Sequence, residues 1–221
     1  MPEDRGSTES LSGYAYRFLP GSRVEGPVLL LLHGTGGDEN DLLPLGGILS
    51  PGSPLLSPRG NVLENHMPRF FRRHAEGVFD VPDLERRTHQ LAAFIARARE
   101  AHGLRDRPIL AAGFSNGANI AASMLLLSPE SLSGAILFRP MVPFEPQALP
   151  ALAGKPVFLS AGRADPVAPP EHAEKLAALL RSAGADATLQ WDASGHGLDV
   201  SAVRIAAEWV KSRFESRERP S

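Results

Sequence analysis

The stretch ILAAGFSNGA, residues 109–118, decides both the fold and where to look for a site. Its first six residues are apolar and predict a short buried strand, while Asn116 begins an alanine- and leucine-rich run that predicts a helix. Ser115 therefore lies in a sharp strand-to-helix turn, with a glycine two residues away on each side. A serine in such a G-x-S-x-G turn exposes its hydroxyl above the sheet, which is typical of a nucleophile. The alternative is a serine that only caps the helix after a glycine turn.

Similar apolar runs alternate with helical patterns along the rest of the chain. Val28–Leu32, with the sequence VLLLL, is continuously apolar and predicts a strand buried on both faces of a sheet. Other strands are predicted at 54–57, 134–138, 157–161 and 187–191, with an antiparallel edge strand at 14–19, and helices at 82–101, 116–127, 171–182 and 200–214. This alternation predicts an α/β fold with a mostly parallel central sheet flanked by helices.

Length and composition indicate one globular domain. The chain has 221 residues, 43% hydrophobic and 22% charged, so it can bury a core without disulfides or a structural metal. Because no linker or repeat divides it, a single domain is predicted over residues 13–214, with flexible termini at 1–12 and 215–221. The irregular segments at 59–81 and 139–150 are too short for a large cap domain, and long loops of this kind are usually functional.

Charge and cysteine content narrow the classes of partner and chemistry. The formal net charge of -2 leaves no basic field for nucleic acid or an anionic membrane, so neither is an expected partner. The chain has no cysteine, which excludes disulfides, zinc–thiolate sites and cysteine nucleophiles. The acidic start of the chain is unlike a secretory signal and no apolar run could span a bilayer, so a cytoplasmic protein is predicted. No histidines have metal-like spacing, and neither a metal nor a cofactor is predicted.

The glycine-rich loop HGTGGDEND, residues 33–41, follows the first buried strand. Its glycines allow the backbone to turn so that N–H groups face inward, as an oxyanion hole requires. The N–H groups of Thr35 and Asn116 are the predicted pair of donors. A phosphate-binding loop is the alternative, but the stretch lacks the lysine of the G-x-x-x-x-G-K-[ST] pattern. His33 itself is predicted to be structural rather than catalytic.

Two further loops after predicted strands carry an acid and a base. Asp165 lies in AGRADPVAPP, and His196 lies between two glycines in SGHGL. Either residue alone has an ordinary interpretation, as a turn aspartate before proline or a loop histidine. The chain order Ser115, Asp165, His196 nevertheless matches a serine–acid–histidine triad whose members all follow strands at one sheet edge. Asp192 and Asp199 are the reserve candidates for the acid, with Asp199 expected to begin the last helix instead.

With these residues in place, the chain resembles the α/β-hydrolase superfamily, and within it the small carboxylesterases of the phospholipase/carboxylesterase branch. The resemblance covers roughly residues 26–209 and rests on LLHGTGGDEND, SPRGNVLENHMPRFFRR, GFSNGANIAA, LFRPMVP, AGRADPVAPP and SGHGL. HGTGGDEND and SPRG…MPRFF are the pieces more specific to this branch, which is similar to acyl-protein thioesterases and to bacterial esterases induced by quinone or copper stress. The resemblance implies a nucleophile, base and acid at Ser115, His196 and Asp165. It also implies a homodimer, which is frequent in the family.

The expected activity is that of a serine carboxylesterase on small, short-acyl esters, acting through an acyl-enzyme without cofactor or metal. An acylated protein or lipid as substrate, for a thioesterase or lysophospholipase, is the enzymatic alternative. A catalytically silent hydrolase fold that binds a small ligand is the alternative from another class.

Substrate contacts are expected from the two irregular segments. The predicted apolar lining consists of Met67, Phe70, Phe71, Met141 and Val142. The same residues could instead be local core beneath a long loop. Arg69, Arg72 and Arg73 are candidates to hold a substrate carboxylate, joined by Arg139, although a charged cluster is more often solvated surface.

Overall fold

The computed structural model describes residues 7–215 and has strands at each of the predicted apolar runs. The strands are β1 (Glu9–Leu11), β2 (Tyr14–Leu19), β3 (Val28–Leu32), β4 (Leu55–Pro58), β5 (Val62–Glu64), β6 (Met67–Arg69), β7 (Arg73–Ala75), β8 (Val78–Phe79), β9 (Ile109–Phe114), β10 (Gly134–Phe138), β11 (Pro156–Gly162) and β12 (Asp186–Asp192). The helices are α1 (Leu43–Leu49), α2 (Val81–Ala101), α3 (Asn116–Leu127), α4 (Pro170–Ser182) and α5 (Val200–Val210), with a 3-10 turn at Pro129–Ser131 and a π-helical turn at Lys211–Glu215.

The central sheet has eight strands in the order β1-β2-β4-β3-β9-β10-β11-β12. The six neighbouring strands β4, β3, β9, β10, β11 and β12 are parallel to one another. β2 pairs antiparallel with both β1 and β4. This order and these directions are those of an α/β-hydrolase fold, so the predicted fold class is confirmed. β2 is antiparallel as predicted, but it is not the edge strand, because β1 lies outside it.

Strand β3 is buried on both faces, as its unbroken apolar sequence predicts. Val28, Leu30 and Leu32 belong to a core cluster with α2, α3 and α4, whereas Leu29 and Leu31 belong to a second cluster with α1 and α5. Complete burial of such a side chain stabilises the fold by roughly 1.5–3 kcal/mol relative to exposure. Successive side chains of a strand point to opposite faces of the sheet. A strand that is buried on both faces must therefore be apolar at every position.

Helix α2 follows the predicted stripe of apolar residues closely. The Asp80 side chain accepts a hydrogen bond from Asp83 N–H at 3.1 Å, which caps the first turn. Gly103 follows the last turn with φ +65°, a left-handed conformation that glycine adopts without a Cβ penalty. The predicted stripe is buried throughout, at Leu84, Thr88, Leu91, Ile95 and Ala98.

The differences from the sequence predictions lie in the short and irregular elements. The segment 59–80 forms two small hairpins, β5–β6 and β7–β8, and α1 was not predicted. Residues 9–11, predicted as part of a flexible lead-in, instead pair with β2. Of the two predicted flexible termini, 1–12 and 215–221, residues 1–6 and 216–221 lie outside the described residues, whereas Glu215 ends the π-helical turn.

The five α-helices between residues 7 and 215 all pack against the sheet or against another flanking helix. No large cap domain therefore covers the carboxyl edge in this part of the chain, as predicted. Over the same residues, every helix is too short or too polar to cross a lipid bilayer.

Candidate active site

Ser115 occupies a strained turn between β9 and α3. Its φ is 52° and its ψ is -111°, a conformation that costs a residue with a side chain about 1–3 kcal/mol. Its N–H donates to Phe138 O at 2.9 Å, which ties the turn to the end of β10. The flanking glycines are sterically required, because a Cβ on Gly117 would lie 1.9 Å from Leu32 O and one on Gly113 would lie 2.5 Å from Gly117 O.

The structure brings Ser115, His196 and Asp165 into one hydrogen-bonded chain. His196 Nε2 lies 2.8 Å from Ser115 Oγ, and His196 Nδ1 lies 3.0 Å and 2.9 Å from the two carboxylate oxygens of Asp165. A carboxylate can only accept, so Nδ1 carries the proton in this contact. Nε2 of the neutral ring is then free to accept from the Ser115 hydroxyl.

The Asp165 carboxylate is completely buried in the loop between β11 and α4. Its Oδ1 also accepts hydrogen bonds from Val167 N–H at 2.8 Å and Ala168 N–H at 2.9 Å. These two bonds satisfy the buried oxygen and prevent the carboxylate from rotating away from His196.

The two reserve acids have other partners. Asp192 binds Arg139, and although burial alone raises its pKa, hydrogen bonds from Ser194 and Arg139 lower that pKa overall. Asp199 caps α5, accepting from Ala202 N–H at 3.2 Å, as expected of a residue that begins the last helix.

Both predicted oxyanion donors lie around the same small pocket as Ser115. Asn116 N–H is the first of α3, where an N–H has no partner within the helix and where the positive end of the helix dipole favours an anion. Asn116 also does more than the sequence indicates, because its side-chain Oδ1 accepts from Phe70 N–H at 2.8 Å. On the other side, Arg69 Nη1 donates to the Thr35 hydroxyl. Residues 69 and 70 therefore connect the two halves of the predicted hole.

His33 has a structural role, as predicted. Its Nδ1 donates to Gly34 O at 2.6 Å, and its Nε2 accepts from Gly60 N–H at 2.9 Å. Burial lowers its pKa, which keeps the ring neutral in this arrangement.

Glu39 in the same loop binds the guanidinium of Arg59 through both carboxylate oxygens. The HGTGGDEND and SPRG stretches are thus joined by two independent contacts.

The pocket beside Ser115 is small, about 30 Å³. Its lining consists of Thr35, Arg69, Arg73, Glu76, Gly77, Phe79, Ser115, Asn116, Asn119, Met141 and Val167. Of the predicted substrate contacts, Arg69 and Met141 are in this set. Asn119 could have been found from the sequence, since it lies one helical turn after Ser115. Phe79 and Val167 could not, because they come from a hairpin and a loop without a regular pattern.

The other predicted contacts lie elsewhere. Phe70 and Phe71 are completely buried in the core, where they pack against His33 and Phe79 at ring distances of 4.8 Å and 5.2 Å. The expectation that these two rings line the pocket is therefore wrong, and the alternative of local core is correct. Met67 is 38% exposed and Val142 packs against the core, outside the lining of the pocket.

The arginine cluster divides into separate environments. Arg69 is buried beside the pocket, and this burial together with nearby Arg73 lowers its pKa to about 10 despite Glu64. Arg73 also lines the pocket and binds Glu64 at 2.9 Å. Arg72 has a largely exposed side chain paired with Asp80. Arg139 does not join the cluster, because its guanidinium binds residues of the His196 loop.

A larger groove of about 510 Å³ lies at the opposite, amino-terminal edge of the parallel strands. Its lining consists of Glu25, Gly26, Pro108, Ser133, Gly154, Pro156, Arg213 and Phe214. Of the serines that line these two pockets, Ser133 in the groove and Ser115 in the smaller pocket, it is Ser115 whose hydroxyl is hydrogen-bonded to a histidine. The residues suited to nucleophilic chemistry therefore gather at the smaller pocket.

Comparisons with known proteins identify relatives of this chain. Residues 19–213 match the family model described as Phospholipase/Carboxylesterase. The chain is 51% identical to MhqD of Bacillus subtilis (strain 168) over 184 residues, which cover 83% of this chain and 92% of MhqD. The crystal structure of the Bacillus cereus carboxylesterase superposes with a TM-score of 0.88 and 48% identity, covering 90% of this chain and 94% of that one. YahD, solved with malic acid, superposes with a TM-score of 0.85 and 31% identity, covering 90% and 98%. The chain belongs to the phospholipase/carboxylesterase family and is a hydrolase of the carboxylesterase type.

Proposed function

We propose that the protein is a serine carboxylesterase that hydrolyses small, short-acyl esters through an acyl-enzyme. The observation that carries this proposal is the chain of contacts from Ser115 Oγ through His196 to Asp165, at 2.8 Å and 2.9 Å. A nucleophile, a base and an orienting acid in hydrogen-bond contact are the requirement for this type of catalysis.

The proposed mechanism has two halves. His196 Nε2 takes the Ser115 proton while Oγ attacks the ester carbonyl, and Asp165 stabilises the imidazolium that forms. The carbonyl oxygen becomes an oxyanion and accepts from the N–H groups of Thr35 and Asn116. The alcohol then leaves with the proton from His196. In the second half, His196 removes a proton from water, the hydroxide attacks the acyl group, and Ser115 is regenerated.

The size of the pocket supports a short acyl group. A cavity of about 30 Å³ holds only about two water-sized groups. Met141 is buried at one wall, and Phe79 and Val167 close the lining, so a long chain would have to lie along the open surface.

A panel of p-nitrophenyl esters of increasing acyl length tests this proposal. We expect kcat/KM to be highest between acetate and butyrate and to fall for longer chains, because additional methylenes find no cavity to fill. A maximum at long chains would instead favour a thioesterase or lysophospholipase. Either enzyme can be distinguished from a catalytically silent ligand receptor by incubation with a fluorophosphonate probe, with the adduct located by mass spectrometry. An unlabelled Ser115 would favour the receptor.

Arg69 supports a preference for esters that carry a second, negatively charged group. Its guanidinium is buried at the pocket that Ser115 lines, and it shares the carboxylate of Glu64 with Arg73, which lines the same pocket. An anionic substituent of the substrate would supply a further negative charge to these two guanidinium groups. The presence of malic acid, a dicarboxylic acid, in the structure of the similar protein YahD agrees with this preference.

Replacing Arg69 by Gln is expected to lower kcat/KM about 10-fold to 100-fold more for a monomethyl ester of a dicarboxylic acid than for a neutral ester of equal length. The reason is the loss of one charge-assisted hydrogen bond, worth about 1.5–3 kcal/mol. The comparison of the two esters matters because Arg69 also contacts Thr35, whose displacement affects both substrates. Arg72→Gln, at a largely exposed position, is the matched control. Equal losses on both esters would exclude the preference.

A further inference from the structure

Arg139 is buried and strained in a way that the chemistry of the triad does not by itself explain. It follows β10 directly, its φ is +54°, and only 1% of the residue is exposed. A positive φ is costly for a residue with a side chain, and such positions persist where surrounding contacts require them. The Arg139 N–H donates to Ser160 O at 2.8 Å, which holds the backbone against β11.

The guanidinium of Arg139 binds the loop that carries His196 on both sides of the histidine. Before His196, it donates to the two carboxylate oxygens of Asp192 at 2.8 Å and 3.1 Å and to Ser194 Oγ at 2.8 Å. After His196, Nε and Nη2 donate to Gly197 O at 3.1 Å and 2.9 Å. One side chain therefore holds the loop around the base at Ser194 and Gly197, and the strand before it at Asp192.

The residue before Arg139 holds the nucleophile. Phe138 O accepts the hydrogen bond from Ser115 N–H at 2.9 Å. Two consecutive residues, the last of β10 and the one after it, thus contact Ser115 and the residues on either side of His196. Between these two sets of contacts, Ser115 Oγ and His196 Nε2 lie 2.8 Å apart.

We propose that Arg139 is a positioning residue that holds the His196 ring within proton-transfer distance of Ser115. The inference rests on the proposed function, because it concerns the same triad. The guanidinium has five N–H donors in a rigid planar fork, which suits bonds to a carboxylate, a hydroxyl and a carbonyl at separate positions, whereas the three donors of a lysine ammonium share one nitrogen. A misplacement of reacting groups by about 1 Å can lower a rate about 10²-fold, so the loss of this contact should affect the chemical step.

A role in stability alone is the competing explanation, and the choice of residue argues against it. A buried arginine–aspartate pair is often no more stabilising than well-packed apolar residues of the same volume. Most of the Arg139 contacts go to one loop, and that loop carries the base. The geometry points to orientation of His196 as the property that Arg139 provides.

The test uses Arg139→Lys, which retains the charge but replaces the fork of donors by a single ammonium group. We expect kcat for p-nitrophenyl acetate to fall about 10-fold to 100-fold with KM nearly unchanged. Labelling of Ser115 by a fluorophosphonate should slow in parallel, because it uses the same proton transfer. The low-field proton NMR signal of His196 Nδ1–H should broaden or disappear through exchange with water.

Val210→Ala is the matched control for stability. Val210 is completely buried in α5, and its truncation creates a cavity away from the triad. We expect this variant to have a lowered melting temperature with unchanged kcat at 25 °C. Wild-type kcat in folded Arg139→Lys, or an equal loss of kcat in Val210→Ala, would overturn the proposal.

Ser194→Ala keeps the test decisive if Arg139→Lys does not fold. This change removes the contacts of Ser194 Oγ with the guanidinium and with Asp192 Oδ1, and retains the bonds between Arg139 and Asp192. A fall in kcat of about 3-fold to 10-fold without a change in KM supports the proposal, and an unchanged kcat overturns it. Failure of the proposed function can be told apart from failure of this inference. If the protein is not an esterase, the wild type itself will lack activity, and the His196 Nδ1–H signal can still be compared between the wild type and the Arg139 variant.

Discussion

Ser115→Ala is expected to lower kcat for short esters by at least about 10³-fold while the protein remains folded. Without Oγ no acyl-enzyme can form, and the remaining rate comes only from binding and from the oxyanion donors. The Ser115 hydroxyl contributes little to the fold, since its hydrogen bond goes to His196. Steady-state kinetics with p-nitrophenyl butyrate and circular dichroism of the variant check the two parts of this expectation. Near-normal activity would exclude Ser115 as the nucleophile.

Ser115→Gly is the informative companion variant. It should be as inactive as Ser115→Ala but more stable than it by about 1 kcal/mol, because glycine relieves the strain at φ 52°. Thermal unfolding of the two variants measures the difference. A lower stability of the glycine variant would mean that the turn is not strained.

Asp165→Asn is expected to lower kcat by about 10⁴-fold, the effect that this change has in a serine protease triad. The Asp165 carboxylate accepts from His196 Nδ1–H at 2.9 Å. An asparagine can instead donate an N–H to Nδ1, which then carries no proton. The ring proton is then on Nε2, and a protonated Nε2 cannot accept the hydrogen bond from the Ser115 hydroxyl. The backbone bonds from Val167 and Ala168 to Oδ1 should still hold the loop in place. Activity and thermal stability of the variant test this expectation together.

Asp199→Asn is the matched control for the acid. Asp199 lies three residues from His196 but caps α5, and asparagine is an equally good capping residue. This variant should retain wild-type kcat. If Asp199→Asn lost activity and Asp165→Asn kept it, the assignment of the acid would have to be exchanged.

The regular elements were predictable because their patterns are local. VLLLL at β3 requires two apolar faces, and the strand–serine–helix sequence around Ser115 has one common geometry. Helix α1 was missed because it has only seven residues, two of them the helix-disfavouring Gly46 and Gly47. β1 was missed because two of its three residues, Glu9 and Ser10, are polar and exposed, so its pairing with β2 left no hydrophobic pattern.

The candidate site was predictable in its chemistry but not in its pocket. Ser115, Asp165 and His196 each follow a strand, and parallel strands bring such loops to one edge. Phe70 and Phe71 follow β6 directly and were expected beside the substrate, yet both rings face the core. The direction of a side chain in an irregular segment depends on contacts distant in sequence, here with His33 and Phe79.

The sequence by itself determined the α/β sheet, the order of the three triad candidates and the loops on which they lie, because each depends on short patterns of apolar, glycine and polar residues. Only the tertiary structure decided which residues surround the serine and what holds the base in place. Arg139 contacts Asp192, Ser194 and Gly197, more than fifty positions away along the chain. No local pattern encodes such contacts, since they arise when the ends of parallel strands are brought together by folding.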